Sequence, residues 1–185
     1  MRVVGGRLGG RPLKGPSSNA IRPTTDRMRE SLFNILVHRD EFTLEGARVL
    51  DLFAGTGAFS IEAISRGADF AVMVDIGAEA RGLQRENIEA MGLGGSARIM
   101  RRDATKLGEV SPFNPFTLVF CDPPYDKGLG EAALTSAIRG GWLAPGALVI
   151  LEERATAAID LPAPLEELER RKAGETQLIF ARMPD

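Results

Sequence analysis

Asp122, Pro123, Pro124 and Tyr125 follow the apolar run Phe116-Thr117-Leu118-Val119-Phe120 and Cys121 without a break. A β-branched and aromatic run that stops at a proline pair predicts a buried strand delivering a stiff loop to a sheet edge. Proline fixes its own φ and drives the preceding residue toward extended backbone, which leaves Asp122 and Pro123 little freedom. The Asp122 carboxylate and the Pro123 carbonyl are acceptors only, so together they can receive the two hydrogens of one amino group. Tyr125 adds a flat face for a planar ring. This group can grip an exocyclic amine on an aromatic base. Taken alone, the four residues also fit an ordinary Asp-Pro turn.

A second motif upstream decides between these readings. Val49–Phe53 has the content of a strand, Ala54-Gly55-Thr56-Gly57 that of a turn open to a close ligand, and Ser60–Arg66 that of a helix stopped by Gly67. Strand, glycine turn and helix make the nucleotide-cofactor arrangement of a doubly wound α/β sheet. The third glycine of the dinucleotide fingerprint is missing, and Asp51 stands at the strand end, where a carboxylate would repel a pyrophosphate and favour an ammonium group. The pattern points to an amino-acid-bearing cofactor such as S-adenosylmethionine, with Asp51, Phe53, Ala54, Gly55 and Gly57 around it.

Two further strands repeat the device. Phe70–Val74 ends at Asp75, where an acid hydrogen-bonds ribose hydroxyls, and Ala97–Arg101 leads to Asp103, placed to accept from an adenine amino group with Ala104 alongside. Ligands of open α/β sheets lie outside the carboxyl ends of the strands, so Asp51, Asp75, Asp103 and Asp122 are expected along one edge. Helices Ala78–Met91, closed by Gly92, and Glu131–Arg139, with strands Ala147–Leu151 and Thr176–Ala181, complete the sheet. Trp142–Gly146 reads as the loop entering the fifth strand, and Glu166–Lys172 as a surface connection or short strand.

The 185 residues suit one domain with a full core. Net charge is −2, but residues 1–29 hold seven basic residues against Asp26 alone, +6, leaving −8 for the remainder. That imbalance suggests a basic N-terminal arm over residues 1–23 on a body over 24–185, with Arg2, Arg7, Arg11, Lys14, Arg22 and Arg27 lying along phosphates. Gly5, Gly6, Gly9, Gly10 and Gly15 predict that the arm is flexible. A helix over Thr25–Val37 carries Met28, Leu32, Ile35 and Leu36 as its apolar stripe, with His38 as a helix-end residue. Cys121, the one cysteine, reads as a packed side chain rather than a nucleophile. There is no metal-ligand spacing, no apolar run of membrane-spanning length and no signal-peptide core, which predicts a cytoplasmic protein.

Asp51-Leu52-Phe53-Ala54-Gly55-Thr56-Gly57-Ala58 together with Asp122-Pro123-Pro124-Tyr125 resembles the class I S-adenosylmethionine-dependent amino-methyltransferases. Arg2-Val3-Val4-Gly5-Gly6-Arg7, followed by the run Arg22-Pro23-Thr24-Thr25-Asp26-Arg27-Met28-Arg29-Glu30-Ser31-Leu32-Phe33-Asn34, narrows the resemblance to the RsmD family. It implies a Rossmann-like, mostly parallel seven-stranded sheet with helices on both faces. It also implies methylation of a guanine N2 amine in 16S ribosomal RNA, within a small-subunit particle. On it, Gly55 and Gly57 cradle the methionine part, Asp75 holds the ribose, Asp103 meets the adenine, and Asp122 to Tyr125 grip the target base. Asp75 stands where that family commonly has Glu, and Ala173 where an aromatic is usual. The same two motifs also serve DNA adenine-N6 methylation, and a non-catalytic RNA-binding assembly factor is the alternative outside enzymes.

Overall fold

The computed structural model describes residues 1–185. Seven strands, β1 (Arg48–Leu52), β2 (Phe70–Val74), β3 (Ala97–Met100), β4 (Phe116–Cys121), β5 (Leu143–Arg154), β6 (Glu166–Ala173) and β7 (Thr176–Arg182), form one sheet in the order β3-β2-β1-β4-β5-β7-β6. The first five are parallel; β7 runs antiparallel to β5, and β6 antiparallel to β7. Four helices, α1 (Asp26–Val37), α2 (Ala58–Ser65), α3 (Ala78–Met91) and α4 (Leu129–Arg139), cover the two faces. This is the mixed, mostly parallel α/β sheet that the sequence predicts.

Strand parity sorts the core into two layers. Val49, Leu118, Phe120, Leu148, Ile150 and Phe180 pack with Leu32, Phe33 and Leu36 of α1 and Phe59 and Ile61 of α2. Leu50, Leu52, Val119, Cys121, Val149 and Leu151 pack on the other face with Ala133, Leu134 and Ala137 of α4 and with Trp142. Burial on both faces is why these strands read as continuous apolar runs. The same parity puts Asp51, Asp122 and Glu152 on the α1–α2 face.

Several boundaries differ from expectation. β5 starts at Leu143, not Ala147, because Leu143 already pairs with Phe116. The breakers Pro145 and Gly146 are absorbed by an irregularity in which Gly146, at φ 76°, still donates to the Met183 carbonyl at 2.9 Å. The strand then runs on to Arg154 because β7 pairs with it to that residue. Glu166–Ala173 is a full edge strand, and its exposed charges suit an edge that must not recruit another chain. In α1 the buried residues are Arg29, Leu32, Phe33 and Leu36, while Met28 remains 40% exposed. Arg29 replaces Met28 inside because a partner waits there.

That partner is Glu62 of α2, wholly buried, and it also explains the N-terminal segment. Its carboxylate accepts from Arg29 Nη1 at 3.1 Å, from Arg66 Nε at 2.8 Å, and from the backbone N–H groups of Val4 and Gly5 at 2.8 and 2.9 Å. Ser65 Oγ donates to the Gly5 carbonyl and accepts from Leu8 N–H. Val3, Leu8 and Leu13 are buried in the same cluster as α1 and α2. The opening residues are thus docked on the body, and the flexibility expected from their glycines is not found. A Cβ on Gly6 would lie 2.0 Å from the Ser65 carbonyl oxygen, so this glycine serves close approach, not freedom.

Removing one partner of a buried, hydrogen-bonded charge cluster leaves the other uncompensated, at a cost of about 3–5 kcal/mol. Glu62→Ala is expected to lower stability by that amount in urea unfolding. It should also expose residues 1–14 to limited proteolysis before the body unfolds.

Candidate functional site

Acids stand at the carboxyl ends of five neighbouring parallel strands: Asp103 after β3, Asp75 after β2, Asp51 in β1, Asp122 after β4 and Glu152 in β5. Asp51 is 1% exposed and accepts from Ser60 Oγ at 2.6 Å. Burial pushes its carboxyl up to about 7, outweighing the bonds from Ser60. Asp75 braces the glycine turn: one oxygen accepts from Gly55 N–H at 3.0 Å and the other from Gly77 N–H at 2.9 Å. From α3, Gln84 donates to the Gly55 carbonyl and Asn87 to the Thr56 carbonyl. Phe53, Gly55 and Gly57 all have positive φ, at 59°, 57° and 82°. For Phe53 that conformation costs roughly 1–2 kcal/mol, so the surrounding bonds hold the turn in a strained shape. Asp103 accepts from the Thr105 hydroxyl and backbone N–H, which hold its carboxyl below the usual range.

The Asp122–Tyr125 loop is equally constrained. Gly130 in α4 lies so close that a Cβ there would be 2.7 Å from Leu151 and 3.3 Å from the Pro123 ring. Asp126, at φ 62°, donates its N–H to Glu153 and accepts from Arg154 Nε at 2.7 Å. Within this rigid corner, Asp122 Oδ1 and the Tyr125 hydroxyl are buried without a hydrogen-bond partner, and no backbone N–H donates to the Pro123 carbonyl. The nearest cation to Asp122 is Arg22, at 3.8 Å, beyond hydrogen-bonding range. Its guanidinium lies 4.0 Å from the centroid of the Tyr125 ring. Burial and then Glu152, a buried acid facing Asp122 from the next strand, raise the Asp122 carboxyl well above the carboxylate range.

Asp122 and the glycine turn line one cleft, with Asp51, Phe53, Ala54, Gly55, Thr56, Phe59 and Phe120. Ile21–Thr24 form its outer wall and leave a cavity of only about 40 Å³, room for little more than a water. A nucleoside-sized ligand can enter only if this strap moves. The acceptors present fit S-adenosylmethionine: Asp51 is a buried acid with no cationic partner, and the orphaned Asp122 Oδ1 faces the same space. A roomier cleft, about 570 Å³ and lined by Arg7, Glu45, Arg66 and Asp69, lies beside the last turn of α2, away from the acids, and holds none of the unpartnered atoms.

Of the six basic residues singled out in the sequence, four are engaged within the chain. Arg2 pairs with Asp26, Arg11 donates to the Ala90 carbonyl, Lys14 pairs with Glu86, and Arg22 lies in the site. Arg7 and Arg27 make no such contact. Glu152 was not among the predicted site residues. The strand-end rule that found the four aspartates applies to it equally, since it directly follows the expected strand Ala147–Leu151 just as Asp75 follows Val74.

A sheet of this order with strand-end acids around a glycine turn defines a class I methyltransferase fold. An RNA methyltransferase from Salinibacter ruber in complex with S-adenosyl-L-homocysteine shares the fold at 15% identity, with a TM-score of 0.67 over 89% of this chain and 95% of that one. Residues 1–182 match the family model described as "Conserved hypothetical protein 95". The chain belongs to that family, the RsmD family. It is 36% identical over 154 residues to ribosomal RNA small subunit methyltransferase D of Escherichia coli, covering 82% of this chain and 74% of that one. The structure of yhhF from Escherichia coli superposes with a TM-score of 0.84 at 31% identity, covering 100% of this chain and 98% of the other. No helix is long and apolar enough to cross a membrane.

The raised Asp51 carboxyl has a thermodynamic consequence. Between the ordinary carboxylate value of 3.8 and about 7 the folded state binds a proton that the unfolded state has lost, so stability falls as pH rises through this window. Asp51→Asn is expected to remove that penalty. Relative to the parent, the variant should be about as stable near pH 4 and gain on the order of a few kcal/mol by pH 8, read from urea unfolding at each pH.

Proposed function

We propose that the protein transfers a methyl group from S-adenosylmethionine to the exocyclic N2 amine of a guanine in 16S ribosomal RNA, presented by a small-subunit particle. The observation that carries this reading is the pair of unfilled acceptors, Asp122 Oδ1 and the Pro123 carbonyl, on a corner that cannot relax to satisfy them. Two acceptors without donors of their own suit a group with two N–H bonds. The base itself is suggested by Arg22. A planar carbon bearing N–H donors already rests over Tyr125 and against Asp122, and the N1–C2–N2 edge of guanine offers the same pattern. Displaced by the base, Arg22 would be free to meet a phosphate of the flipped nucleotide, with Arg7 and Arg27 as further contacts. Support for an RNA substrate comes from the family's small-subunit methyltransferases.

In this reading the strap Ile21–Thr24 swings away. Asp51 takes the cofactor's ammonium, Phe53, Ala54 and the Gly55–Gly57 turn its methionine chain, Asp75 the ribose, and Asp103 with Ala104 the adenine. When bound, S-adenosylmethionine supplies a methyl group on a positively charged sulfur. A guanine amine is a poor nucleophile because its lone pair is delocalised into the ring. Hydrogen bonds to Asp122 and to the Pro123 carbonyl pyramidalise the nitrogen and localise that pair. Pro124 keeps the loop extended, and Tyr125 holds the ring by stacking. Positioning supplies much of the acceleration, and the Asp122 charge offsets the positive charge that develops on nitrogen.

Incubation with labelled S-adenosylmethionine and small-subunit particles, followed by nucleoside digestion, is expected to yield N2-methylguanosine. N6-methyladenine or no labelled nucleoside would refute the reading. Asp122→Ala should lower turnover by about 10²-fold or more while S-adenosylhomocysteine still binds.

A further inference from the structure

We propose that Glu152 is a positioning residue for this reaction: facing Asp122 across the β4–β5 pair, it makes Asp122 the acceptor of the proton that the amine must lose. The placement follows from register. Cys121 pairs with Leu151 in parallel, so the next residues, Asp122 and Glu152, stand side by side at the strand ends and on the same face of the sheet. Glu152 is 3% exposed, and no lysine or arginine forms an ion pair with it. Its neighbour Glu153 behaves differently, accepting from the N–H groups of Asp126 and Arg154 as a brace for the loop.

A carboxylate buried beside another carboxylate without a cation of its own is unfavourable for folding. Its effect on chemistry is specific. The charged or titratable groups facing Asp122 are Glu152 on β5, Asp51 on β1, Arg22 on the N-terminal strap, and Cys121 and Tyr125 on its own segment. Arg22 is the one cation, and it lies where the base must enter. Once Arg22 is displaced, the groups that this chain itself turns toward Asp122 are acids or neutral, and they raise its affinity for a proton when a base is needed. The step balances as follows. The amine lone pair forms the N–C bond, the S–C bond breaks with its electrons remaining on sulfur, and one N–H proton passes to an Asp122 carboxylate oxygen, leaving a neutral methylamino group.

Because the inference rests on the methyl-transfer reading, its test needs one arm without turnover. Asp122 must be ionised to accept, so the rate falls as pH drops through its pKa. Glu152→Gln keeps the shape and removes the charge. It is expected to move this acid limb of the kcat profile about one pH unit or more downward, and to lower the plateau roughly tenfold because Asp122 becomes a weaker base. Glu152→Asp should restore most of both. The carboxyl carbon resonance of Asp122, followed by NMR without substrate, should titrate at lower pH in the Gln variant. A Gln profile scaled down with its limb unmoved, and an Asp122 resonance that titrates as in the parent, would overturn the role of Glu152. An NMR shift without any labelled guanosine from the parent enzyme would instead overturn the assigned substrate.

Discussion

A carboxylate with one oxygen buried and no donor to meet it is the condition around which this fold is arranged. That oxygen, Asp122 Oδ1, is held in place because the proline pair stiffens the backbone and Gly130 brings α4 against the loop. No N–H of the loop donates to it. Such a group is destabilising in a folded protein unless something outside the chain completes it. The rest of the sheet accepts similar burdens: Asp51 is buried with one hydroxyl for company, Glu152 is buried beside another acid, and Phe53 is held in a left-handed conformation. Strain and unmet polarity gathered on one rim are the reason we propose this rim as the place where the chain meets its ligands.

The cost is offset elsewhere. Two apolar layers fill both faces of the parallel sheet, and Phe59 stacks on Phe120 at 4.0 Å directly behind the site. Glu62 contrasts with Asp122. It is the more deeply buried of the two, yet it is surrounded by two arginines and two backbone N–H groups and ties the first residues, α1 and α2 into one body. One acid is saturated and structural; the other has an oxygen without a donor and is the one we propose to be reactive. The difference lies in neighbours.

The strap between them links the two. Lys14 is fixed to Asn87, Thr25 caps α1, and only the intervening stretch crosses the cleft. Its ends are anchored to the body while Arg22 rests over Tyr125, in the proposed base site, and Ile21 lies against Gly55. A segment fastened at both ends can open locally without unfolding the sheet. Arginine is suited to this place because its planar guanidinium covers an aromatic face and approaches a carboxylate at the same time.

Much of this was legible in the residues. Apolar runs marked the parallel strands, glycines marked the turn, and the acid following each run marked the rim, because strand ends and chain punctuation are local properties. The family resemblance rested on those same local motifs. What the sequence could not determine depended on pairing and depth. Pro145 and Gly146 signal a loop, yet Leu143 and Leu148 pair with β4 on either side of them and Gly146 bonds to Met183, which keeps them in a strand. Arg29 has the residue type of a surface position, yet Glu62 draws it into the core, and Gly6 looks like slack until α2 is packed against it. Glu152 is one of two adjacent glutamates with identical chemistry. Only the register of β4 against β5, together with side-chain parity, turns one toward Asp122 and the other toward the loop backbone, because a strand presents successive residues to opposite faces.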